Sequence, residues 1–234
     1  DLGLTLNGLK ALDAAAAKAL SEFKGQYLYL NGLPALDADT AKELTATGRR
    51  TGPSAGGRGG GGQPNCKLHL NGLAELSPET AAVIAAAGRA LDLSFDGLKT
   101  LSPEAARELA RSKLRSLSLN GLKTFSPEAA QAFAGHTVGQ LSVNGLTKLS
   151  PEAARALAAS GATSLNLNGL TELDEEAAKE LVKHKVLYLS LSGLTSITPA
   201  AARALAEFSG QRLELGLTTL DAAVDRKSTR LNSS

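Results

Sequence analysis

The sequence predicts an α/β solenoid: a right-handed coil with a curved parallel sheet inside and short helices outside. Three observations predict it. Glycine recurs at Gly8, Gly32, Gly72, Gly97, Gly121, Gly145, Gly169, Gly193 and Gly216, at spacings of 24, 40, 25, 24, 24, 24, 24 and 23 residues. A fixed period of that size marks structural repeats that stack on their neighbours. Before each glycine, apolar and polar residues alternate, as in Ser116-Leu117-Ser118-Leu119, which reads as a short strand with one buried face. After it comes a helix start such as Ser126-Pro127-Glu128. Parallel strands joined by helical crossovers coil in the right-handed sense.

Each repeat can be justified in order along residues 114–134. Leu117 and Leu119 form the buried side of the strand, and Asn120-Gly121 ends it, a pair suited to a tight turn. Leu122 and Phe125 turn inward again. Ser126 is an N-cap, because its hydroxyl can accept from an orphan backbone N–H, and Pro127 fits the first helical position. Glu128 places negative charge at the positive end of the helix dipole. Ala129, Ala130, Phe133 and Ala134 give a short helix whose small side chains allow close approach to the sheet.

The same order returns at Ser77-Pro78-Glu79, Ser102-Pro103-Glu104, Ser150-Pro151-Glu152 and Thr198-Pro199, whereas Asp13, Asp37 and Asp174 cap without proline. The pairs Glu104–Arg107, Glu152–Arg155 and Glu176–Lys179 have the i,i+3 spacing of exposed helical ion pairs. The solenoid is expected over residues 1–224, in about nine repeats.

The order Leu114, Leu117, Leu119, Leu122, Phe125 resembles a leucine-rich repeat. Leu122 stands where the commonest form has a buried Asn or Cys. That departure is similar to the bacterial leucine-rich class, whose repeats run to about 23 or 24 residues. The resemblance covers roughly residues 2–224. It implies a non-enzymatic binding module or interaction scaffold with a protein ligand on the concave sheet face. It leaves a structural spacer or surface array as the alternative. Such proteins are often found at surfaces, so the resemblance allows a cell-surface or secreted place; the sequence itself leaves the compartment open.

Two segments break the period. Residues 49–65 insert seven glycines in 17 positions, a composition too poor in apolar surface to offset its ordering entropy. Residues 225–234, Asp225-Arg-Lys-Ser-Thr-Arg-Leu-Asn-Ser-Ser, end the pattern abruptly and look like a translated sequencing adapter rather than native protein. The chain opens inside a strand and holds no Met, and it reads as a fragment or a processed product.

The tail decides the charge argument. The full chain has 25 basic and 23 acidic residues, but the tail holds Arg226, Lys227, Arg230 and Asp225, leaving 22 of each sign. A neutral solenoid gives no reason to expect a nucleic-acid partner. No stretch approaches the ~18 consecutive apolar residues of a membrane span. Cys66 is alone, so no internal disulfide is possible.

Letter matches to chemical motifs fail on context. Gly57-x-Gly59-x-x-Gly62 neither follows a strand nor opens a helix, and Gly52-x-x-x-x-Gly57-Arg58-Gly59 lacks the Lys and Ser/Thr of a phosphate loop. A single Arg-Gly-Gly unit at Arg58 is too little for RNA. His69, His136 and His184 stand apart from Cys and acids at metal-ligand spacing, and Asp174-Glu175-Glu176 reads as a cap with dipole-favoured acids. No catalytic residue, cofactor or metal is expected.

What remains is the outward face of the sheet. One row reads Thr5, Tyr29, His69, Ser94, Ser118, Ser142, Asn166, Ser190, Glu214. The row two residues earlier reads Gly3, Tyr27, Lys67, Asp92, Ser116, Gln140, Ser164, Tyr188, Arg212. All three tyrosines of the chain fall on this face, and tyrosine is a favoured interface anchor. The candidate ligand-binding residues are therefore Tyr27, Tyr29, His69, Lys67 and Tyr188. Uncapped solenoid ends are expected to favour self-association.

Overall fold

The computed structural model describes residues 2–46, 66–87, 91–112, 114–135, 138–184 and 186–218. The glycine-rich insertion 49–65, the tail 225–234, His136 and the helix start at Asp221 lie outside the described residues.

Strand and helix alternate throughout. The strands are β1 (Gly3–Thr5), β2 (Tyr27–Tyr29), β3 (Cys66–His69), β4 (Leu91–Ser94), β5 (Ser116–Ser118), β6 (Gln140–Ser142), β7 (Ser164–Asn166), β8 (Tyr188–Leu191) and β9 (Arg212–Leu215). Between them run α1 (Ala14–Ser21), α2 (Ala38–Thr45), α3 (Pro78–Ala86), α4 (Pro103–Arg111), α5 (Pro127–Phe133), α6 (Pro151–Ala158), α7 (Glu175–Val182) and α8 (Pro199–Leu205). The strands form one open parallel sheet in chain order, β1 to β9. Every step keeps the same register, Leu28↔Leu68, Leu93↔Leu117 and Leu141↔Leu165 among them. Register holds between β2 and β3 even though 40 residues separate Tyr27 from Lys67.

The core is a set of columns, one position of the repeat per column. Leu28, Leu68, Leu93, Leu117, Leu141, Leu165 and Leu189 line the inner sheet face and are buried. Leu33, Leu73, Leu98, Leu122, Leu146, Leu170 and Leu194 form the column just past the turn. Alanines such as Ala106, Ala130, Ala154 and Ala178 face them from the helices. Each helix touches the next in the series. Strands step by about 4.8 Å while packed helices need roughly 8–10 Å. One helix per strand therefore places the sheet on the short inner side of an arc.

All predicted caps among the described residues form. Ser126 Oγ accepts from the Ala129 N–H at 3.1 Å, and Asp37 Oδ1 accepts from the Thr40 N–H at 2.8 Å. That bond, with the Thr40 hydroxyl, holds the Asp37 carboxyl below its ordinary range.

Two of the three expected ion pairs are corrected. Glu104–Arg107 forms at 3.6 Å. Arg155 instead crosses to Glu180 of the next helix, 3.1 Å away. Glu180 is only 9% exposed and also receives Lys183, which with Arg155 holds its carboxyl below the ordinary range. Lys179 pairs with Glu175 at 2.5 Å, the better i,i+4 spacing.

The Asn-Gly step is the other correction. The chain turns there, with Leu122 N–H donating to Leu119 O at 3.2 Å, but no glycine of this step has positive φ. Glycine is needed for proximity: a β-carbon on Gly121 would lie 2.2 Å from the Asp96 carbonyl oxygen of the preceding repeat. Asparagine is needed for a ladder. Asn120 Oδ1 accepts from the Asn144 N–H at 2.9 Å, and Asn144 Oδ1 from the Asn168 N–H at 2.8 Å. The series starts at Asn7 and passes through Asn31 and Asn71. Asp96 takes the same position and accepts from Asn120 N–H at 2.9 Å. The series ends where Asn168 accepts from Ser192 N–H at 3.0 Å. The orphan N–H at the end of each strand is thereby satisfied by the repeat before it.

Candidate functional site

Strand alternation puts the leucines against the helices and every second residue on the opposite, uncovered face. The register aligns both outward rows as the sequence predicts, from Thr5↔Tyr29↔His69 to Asn166↔Ser190↔Glu214.

Four of the five candidate residues come together. Tyr27 and Tyr29, two apart on β2, stand parallel with ring centroids 6.1 Å apart. His69 is the register partner of Tyr29 on β3, and its ring stacks at 4.5 Å and 14°. Lys67 Nζ sits 5.0 Å from the centre of the Tyr27 ring, within cation–π range. Gly3, the register partner of Tyr27, borders the pair on the other side, where a β-carbon would make ordinary contact with Tyr27 Cβ at 3.4 Å and the Tyr29 ring edge at 3.9 Å.

The electrostatics favour a neutral imidazole. Burial holds the His69 pKa below its ordinary value, and Lys67 pushes the same way, against the pull of Asp96 and Asp92. A neutral ring stacks on Tyr29 without the desolvation cost of a charge. The platform is apolar on its faces and polar at its edges, the surface type that anchors a partner.

Tyr188 is not part of this group. It lies on β8, six strand steps from β2, or about 29 Å along the sheet at the usual strand spacing. It is 41% exposed, and its hydroxyl donates to Gln211 Oε1 at 2.6 Å. With Asn166, Ser190, Arg212 and Glu214 it lines a shallow depression of about 380 Å³. Between the two ends the face carries Ser116, Ser118, Gln140 and Ser142.

Two structural features escaped the sequence reading. Asp92, in register between Lys67 and Ser116, has a buried Oδ1 with no hydrogen-bond partner. Sequence carries no signal for this, since it depends on side-chain placement and not on position in the repeat. The asparagine ladder did have one: Asn recurs before the glycine with Asp96 and Ser192 as its replacements.

Among the described residues no group of three His, Cys, Asp or Glu side chains is placed to hold a metal ion. In the acidic run at α7, Asp174 Oδ1 accepts from Ala177 N–H at 2.6 Å and Glu175 pairs with Lys179. No described helix is long and apolar enough to cross a membrane. No protein-family model matches the chain, and no curated protein is similar enough to it to register as a match.

Proposed function

We propose that the chain is a non-enzymatic binding module of the leucine-rich repeat type. It takes a protein ligand on the uncovered sheet face, anchored by Tyr27, Tyr29, His69 and Lys67. One observation carries this reading: an uncovered sheet face has no need of a three-ring stack, and this one brings Tyr27, Tyr29 and His69 together at β2 and β3. The leucine columns support the repeat type, and the resemblance to the bacterial class rests on Leu122 in place of a buried Asn or Cys together with the 24-residue period. A neutral net charge outside residues 225–234 speaks for a protein rather than a nucleic acid.

The test is to pan a displayed random-peptide library on the chain and measure the enriched peptides against variants. Tyr29→Ala is expected to weaken binding at least about tenfold, as an interface anchor does, with Tyr188→Ala close to neutral. Unchanged binding by a Tyr27→Ala/Tyr29→Ala/His69→Ala triple variant that keeps its unfolding midpoint would overturn the proposal.

A second reading, the structural spacer, draws on the small polar residues of β5 to β7. It predicts no peptide enriched above an unrelated control protein.

A further inference from the structure

Among the described residues, Asp92 Oδ1 is the one buried side-chain oxygen without a hydrogen-bond partner. Such an atom bears its desolvation cost uncompensated, so a native fold that keeps one calls for a reason. A partner for it stands one strand away. Lys67 is the register neighbour of Asp92 on β3, yet it takes part in none of the ion pairs among the described residues. It turns instead toward its neighbour on β2 and sets Nζ 5.0 Å from the centre of the Tyr27 ring.

The place that Lys67 occupies is a ring's place. Adjacent strands lie about 4.8 Å apart, and the Tyr29 and His69 rings stack across that step at 4.5 Å. Tyr27 stands parallel to Tyr29 within 5°, so its ring also faces β3. There it meets an ammonium where Tyr29 meets an imidazole. Three corners of a two-by-two array of rings are filled, and the fourth holds a flexible cation. Tyr27 and Lys67 are both half-buried, and a cation on an aromatic face is weakly held where water competes. Moved to Asp92, the same cation gains a charged hydrogen bond to an oxygen that has no other partner.

We propose that the fourth corner is the seat of an aromatic ring contributed by the ligand, and that Lys67 leaves Tyr27 for Asp92 when this ring arrives. The proposal rests on the binding reading of this face and adds to it the chemistry of one ligand group. A phenyl, phenol or indole ring fits, with one face on Tyr27 and one edge beside His69, as the Tyr27 edge lies beside Tyr29. A ligand Lys or Arg fits worse, because it brings a second cation against Lys67. Asp92 is a positioning residue that acts through Lys67 and does not touch the ligand.

The first probe is p-cresol, the tyrosine side chain alone, titrated into the intact chain and followed by NMR. It is expected to shift the ring signals of Tyr27 and His69 and the ε-methylene signals of Lys67, and to saturate. Asp92→Asn is expected to weaken this binding about fivefold while leaving the urea midpoint of the free chain unchanged or higher, since it replaces an unpartnered carboxylate by an uncharged amide. A merely structural Asp92 would lower the midpoint. In a Lys67→Ala background Asp92→Asn is expected to have no effect on binding, because the two side chains act as one unit. The second probe is the set of panned peptides. Those that depend on Tyr29 are expected to carry an aromatic residue whose change to Ala weakens binding about tenfold. Tyr27 signals unmoved by p-cresol, or Asp92→Asn and Lys67→Ala acting additively, would refute the proposal. Tyr29-dependent peptides without an aromatic residue would also refute it, and would spare the binding-module reading. Binding of p-cresol as described with no peptide enriched would support the ring seat and count against a protein as the source of the ring.

Discussion

At the end of each strand an asparagine and a glycine divide two tasks. The asparagine reaches forward to the next repeat, and the glycine lets the previous one come close. Each task sets a prediction. Gly121→Ala forces a β-carbon toward the carbonyl oxygens of Asp96 and Leu98, at 2.2 and 2.4 Å, and is expected to destabilise by about 1–3 kcal/mol in urea unfolding. Asn144→Ala strands the Asn168 N–H and is expected to cost about 1–3 kcal/mol, whereas Asn144→Asp keeps the acceptor and much of the stability. His69 sets a third. Its folded pKa lies below the unfolded value near 6.5, so the unfolded chain takes up the proton first. The stability tied to the neutral ring is present above that pH and lost as pH falls through it. His69→Gln should flatten the drop in urea midpoint between neutral and mildly acidic pH. The Asn-Gly spacing was plain in the sequence, but its reason was not, because tight turns and close packing leave the same letters.

At the scale of the element, the helices begin where local chemistry says they should. A cap is read from four or five adjacent residues, so every Ser, Thr and Asp cap was legible. Ser126→Ala should cost about 1 kcal/mol by the same unfolding measurement, and Ser126→Asp should recover most of it. The ion pairs were less legible because a long side chain chooses among all neighbours. Arg155 prefers Glu180 across the α6–α7 contact to Glu152 on its own helix. A Glu180→Gln variant should therefore loosen α7 against α6, seen as faster amide exchange in α7 and unchanged exchange in α2. The strands show the same division. Their outward rows followed from alternation, while the separation of Tyr188 from the other tyrosines needed the strand count between them.

At the scale of the whole molecule, the nine described strands form one open sheet. β1 and β9 each pair with one strand, and Leu2 is 63% exposed beside the first. An open parallel edge invites another chain. Sedimentation velocity is expected to show mass rising with concentration, and a constant monomer would refute it. Since the main contacts among the described elements run between neighbouring repeats, unfolding should follow a nearest-neighbour sum rather than one global step. The period made this architecture legible, because a spacing of 24 residues fixes register and crossover together.

The unbroken pairing of β2 with β3 carries a last consequence. Tyr27 and Lys67 are 40 residues apart yet align as Gln140 and Ser164 do at 24. Chain length at that joint is therefore uncoupled from stacking. The joint is a natural splice site, where segments can be trimmed or foreign sequence grafted at little cost. Each doubling of a loop costs only about 0.6 kcal/mol.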